Sequence, residues 1–99
     1  MTNKVDFQHL AAIYGWKKTD ELLFHEFGKL WQSGYYQQFE TVEQLLFHPH
    51  ASLKFAMQFR SETGLWELPV ADILRKLTNL RKAKFLKDYE YDTENQPAC

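Results

Sequence analysis

The stretch Ala51-Ser52-Leu53-Lys54-Phe55-Ala56-Met57-Gln58-Phe59-Arg60, followed by Ser61-Glu62-Thr63-Gly64, decides the fold of this chain. Leu53, Phe55, Met57 and Phe59 alternate with Lys54, Ala56, Gln58 and Arg60, and strict alternation is the pattern of a half-buried strand. Read that way, residues 61–64 are a turn and Leu65-Trp66-Glu67-Leu68 returns as the second arm of a β-hairpin. A helix fits the same residues. On a helical wheel Lys54, Gln58 and Ser61 share one face, and the rest form a broad apolar arc. Pro49 suits a first helical turn, where its missing N–H is not needed, and Gly64 suits the stop. Residues 51–60 hold no β-branched side chain, and Ala, Leu, Lys, Met and Gln all favour helix. Propensity and punctuation therefore point to an all-α chain, a small bundle of four or five short helices. The alternation leaves one alternative, an α+β fold with a β-hairpin at about 53–68.

Outward from this stretch, helix signals continue in both directions. Asp6 can cap a short helix through Phe7, Leu10, Ala11 and Tyr14, which Gly15 stops. Thr19 or Asp20 can cap a second helix over Glu21 to Ser33. There Leu23, Phe24, Phe27, Leu30 and Trp31 share one face, with His25, Lys29 and Gln32 opposite. Gly34 is expected to close this helix in the left-handed C′ conformation. Residues 35–40 read either as loop or as the start of the next helix, and Tyr35 and Tyr36 are expected to cover the core at a helix corner. Thr41 to Phe47 reads as a short helix capped by Thr41 and ended by Pro49, because the residue before proline disfavours the helical region.

The last helix starts at Pro69 and buries Val70, Ile73, Leu74, Leu77 and Leu80. If it ran on straight, Arg81 and Lys84 would rotate onto that stripe. Burying an unpaired cation is too costly, so the helix either ends near Leu80 to Ala83 or projects past the body of the domain.

At 99 residues with a net charge of −1, the chain reads as one domain. Charge is polarised along it. Four of the 13 acids, Asp88, Glu90, Asp92 and Glu94, follow the last base, Lys87. Residues 1–87 thus read as the helical domain and 88–99 as an acidic, flexible tail. No stretch approaches the length of a membrane span, and the first residues lack a signal-peptide pattern. With Cys99 as the single cysteine, no internal disulfide is possible, and a cytoplasmic location follows by default.

Enzymatic motifs are missing: no nucleophile elbow, no phosphate-cradling glycine loop and no zinc-protease spacing. His48-Pro49-His50 is the one local arrangement that suggests a metal, but zinc needs three or four converging ligands. An interhelix turn with two exposed or capping histidines explains it more simply. No catalytic residue, cofactor or metal is therefore assigned.

The best functional lead is the basic cluster Arg75, Lys76, Arg81, Lys82, Lys84 and Lys87, followed by the tail tyrosines Tyr89 and Tyr91. Basic residues near a helix C-terminus also complement its dipole, so a solvated face is the simpler account of them. The expectation is a small protein-binding or regulatory module, with a protein partner or self-association through Arg75, Arg81, Lys82, Lys84, Lys87, Tyr89 and Tyr91. A nucleic-acid-binding helical domain using the 75–87 cluster is the alternative.

Overall fold

A computed structural model describes residues 6–86. Among them are helices and turns and no strand. Five helical rods form the bundle: α1 (Phe7–Ile13), a long kinked rod made of α2 (Asp20–Leu30) and α3 (Tyr36–Phe39), α4 (Val42–Leu46), α5 (Pro49–Thr63) and α6 (Val70–Lys82). The β-hairpin at 53–68 is not formed. Residues Ser52, Phe55, Ala56 and Phe59 are the buried ones of α5, a spacing of three and four that belongs to a helix. The apparent alternation breaks because Leu53 and Met57 face solvent.

Local chemistry sets the helix ends. The Thr19 hydroxyl accepts from the Leu22 N–H at 3.2 Å, and the Thr41 hydroxyl from the Gln44 N–H at 3.1 Å. Each supplies a partner for one otherwise unpaired first-turn donor. Asp6 stands at the N-cap of α1, but its side chain makes no capping bond. Gly64 ends α5 with φ +77° and donates to the Arg60 carbonyl at 2.7 Å, the left-handed stop for which glycine carries no Cβ penalty.

The expected glycine stop at Gly34 does not form. Gly34 has φ 170°, an extended value, inside a wide turn over Trp31–Tyr35, and the Tyr36 N–H reaches back to the Trp31 carbonyl. The rod bends there and resumes as α3. Trp31 and Tyr35, on either side of the bend, are both buried. Tyr35 does cover the core at this corner, edge-on to Phe55 with ring centroids 5.0 Å apart.

Helix α6 ends within the expected window, and its end turns back on the bundle. Lys84 takes φ +65°, its N–H bonds the Arg81 carbonyl at 2.9 Å, and the Phe85 N–H bonds the Leu80 carbonyl at 2.9 Å. This is a Schellman closure with lysine in the glycine position. It keeps the cations off the apolar stripe and brings Phe85 edge-on to Phe24 and Leu86 into the core. The end of α1 closes in the same pattern, with Gly15 at φ +120° and the Trp16 N–H on the Ala11 carbonyl at 2.9 Å.

Helix α5 is central, packed on α2, α4 and α6. Aromatic rings fill the space between α1, α2 and α5. Phe27 stacks on Phe59 at 4.2 Å and meets Phe7 edge-on at 5.4 Å. Each such ring contributes about 1.5–3 kcal/mol by leaving water. Ser52, a small polar side chain buried in the core, donates to the Leu45 carbonyl at 3.0 Å.

Candidate interaction surface

The basic residues of α6 do not gather on one face. Successive residues turn by about 100°, so Arg75 and Lys82 lie near each other on the helix while Arg81 lies across it. Arg75 pairs with Asp72 at 2.8 Å. The Lys76 ammonium lies over the Phe24 ring, 4.3 Å from its centroid, a cation–π contact that also covers the apolar ring with the lysine stem. Arg81 reaches α4 and pairs with Glu43 at 2.9 Å. Lys82 and Lys84 are exposed. Of the expected contact residues, Lys87, Tyr89 and Tyr91 lie outside the described residues. Arg75, Lys76, Asp6 and Asp72 help to line an open groove of about 600 Å³ between α1 and α6. Its bases are thus matched by acids.

A second surface comes from the residues that broke the alternation of α5. Leu53 and Met57 sit four apart on one flank, 48% and 39% exposed. Phe47, 73% exposed, precedes the helix at one end. At the other end Arg60 joins this flank to the segment that follows α5. Its Nη1 lies 3.5 Å from the Met57 sulfur, while Nε and Nη2 donate to the Leu68 carbonyl at 2.9 and 2.6 Å. Trp66 on that segment is half exposed, whereas Leu65 and Leu68 on either side of it are buried. Trp66 thus stays outside the core that Leu65 and Leu68 join. The sequence signal for the flank was the width of the apolar arc of α5. An arc wider than the core-facing stripe leaves apolar side chains outside.

The third feature is a cleft of about 400 Å³ between the Gly34 kink and α5, lined by Ser33, Tyr35, Gln38, His50, Lys54 and Gln58 among others. The Tyr35 hydroxyl donates to the Gln58 side-chain oxygen across it. Burial raises the pKa of this phenol by desolvation, because charge is disfavoured away from water. The two histidines of the His48-Pro49-His50 turn do different things. His48 caps α5 by position, its ring 5.2 Å from that of Phe39, and His50 borders the cleft. Among the described residues no three His, Cys, Asp or Glu side chains converge as a metal site would require. No described helix is long and apolar enough to cross a membrane.

No family model, curated protein or solved structure matches this chain.

Proposed function

We propose that this chain is a small helical protein-binding module that acts by surface complementarity. The observation that carries the reading is the Leu53–Met57 flank of α5, which holds large apolar groups in solvent on a rigid helix. A preformed helix pays no further backbone ordering on contact, which favours binding. The flank is bordered by Lys54 and Arg60, and no acid occurs on α5 before Glu62. The fitting partner is therefore an amphipathic helical segment with an apolar stripe and acidic margins.

The test is selection of displayed helical peptides on the wild-type protein, followed by binding to a Leu53→Gln, Met57→Gln variant. Selected peptides that share apolar positions three and four apart with flanking acids, and that fail to bind the variant, support the reading. Peptides that bind the variant equally well overturn it. Nucleic acid is the competing ligand class. Salt-sensitive binding of duplex or single strands that is lost in Lys82→Glu, Lys84→Glu would put that reading in its place.

A further inference from the structure

We propose that the cleft between the Gly34 kink and α5 binds a small organic anion through its phosphate or carboxylate group. This inference stands on a different surface from the apolar flank, with Lys54 the one residue that borders both. His50, Lys54 and Gln58 follow one another at intervals of four along α5, so they form a single row on one wall. Tyr35 fixes the last of them. Because its hydroxyl donates to the Gln58 oxygen, the amide nitrogen of Gln58 keeps its two N–H donors for another acceptor. Tyr35 is 8% exposed and held by the Phe55 and Phe39 rings, so this orientation is built into the core.

Charge on the lining points the same way. The ionisable groups lining the cleft besides the Tyr35 phenol are His50 and Lys54, both bases, and no carboxylate lines it. The α1–α6 groove, by contrast, brings Asp6 and Asp72 to Arg75 and Lys76. An oxyanion in the cleft would accept from the Lys54 ammonium and the Gln58 amide as charge-assisted hydrogen bonds. The cleft volume falls in the range of small-ligand sites, roughly 300–1,000 Å³.

The experiment is a titration of the ¹⁵N-labelled chain with inorganic phosphate, phenyl phosphate and benzoate at constant ionic strength, read by amide shifts. Saturable shifts confined to residues 33–38 and 50–58 are expected. Lys54→Gln should weaken binding by about fivefold or more, as loss of a charge-assisted contact implies, and Lys82→Gln should leave it unchanged. The tighter of phenyl phosphate and benzoate then identifies the oxyanion. Three results would overturn the proposal. One is no saturable shift up to about 20 mM, well past millimolar affinity. Another is shifts spread equally over Lys82 and Lys84, and the last is an affinity unchanged in Lys54→Gln. Because none of these variants touches Leu53 or Met57, failure here leaves the peptide-binding test standing.

Discussion

The Arg60 guanidinium clasps the Leu68 carbonyl with two N–H groups, at 2.9 and 2.6 Å. The contact spans eight residues and ties the C-terminal turn of α5 to the segment that enters α6. The Arg60→Met variant keeps much of the side-chain length and removes both donors. It should lower stability by about 1–3 kcal/mol, the scale of a hydrogen bond to a charged donor, read as a lower urea midpoint at unchanged slope. A midpoint equal to wild type would mean that the clasp contributes nothing to stability.

Lys84 occupies the left-handed region at φ +65°, where an L-residue is disfavoured by about 1–2 kcal/mol. Lys84→Gly should therefore stabilise the protein by up to about 1 kcal/mol, after the entropy lost by glycine on folding is counted. Lys84→Ala, which keeps the Cβ, should not. Urea titrations of the two variants side by side separate backbone strain from removal of the charge.

The Tyr35 phenol is buried, and its pKa lies above the usual value of 10.0. Its folded pKa therefore exceeds its unfolded one, and the neutral form belongs to the folded state. The resulting stability is fully present below pH 10 and is lost as pH rises through the folded pKa. Tyr35→Phe should cost about 1 kcal/mol at neutral pH through the lost hydrogen bond to Gln58. It should also flatten the decline in stability above pH 10. Parallel slopes for wild type and variant between pH 9 and 11 would contradict this account.

Phe27 is completely buried and meets rings from α1 and α5. Phe27→Ala should cost about 3–5 kcal/mol, a large part of the 5–15 kcal/mol that holds a typical domain together. Phe27→Leu should cost less because it leaves a smaller void. Thermal unfolding by circular dichroism would rank wild type, Leu and Ala in that order.

The sequence identified the helices wherever one signal governed both the local chain and its packing. Thr19 and Thr41 cap as their side chains suggest, and Gly64 stops α5. Residues 51–60 were ambiguous because a helix with an apolar flank in solvent counterfeits alternation. Leu53 and Met57 supply the false strand positions. Gly34 misled for a different reason. The chain bends there and continues as α3 instead of ending, with the buried Trp31 and Tyr35 on either side. Lys84 carried no sign of its positive φ, since only the return of Phe85 and Leu86 to the bundle demands it.

The basic cluster was legible as composition and not as geometry. Its members are neighbours along the chain, while the helical turn sends Arg81 to Glu43 on α4 and leaves Arg75 with Asp72. The cleft left no local signature. Tyr35 and Gln58 are 23 residues apart, and only the bend at Gly34 brings them together.

Ser52 has a further consequence. Apolar packing fixes the position of α5 through shape, and a buried hydrogen bond adds a directional constraint. The hydroxyl on the Leu45 carbonyl acts as a pin against slippage. Moving α5 along α4 by one turn, about 5.4 Å, would strand a buried donor at a cost of about 1–3 kcal/mol. That one hydroxyl thus adds to the preference for the observed register over a slipped one that leaves it unpaired.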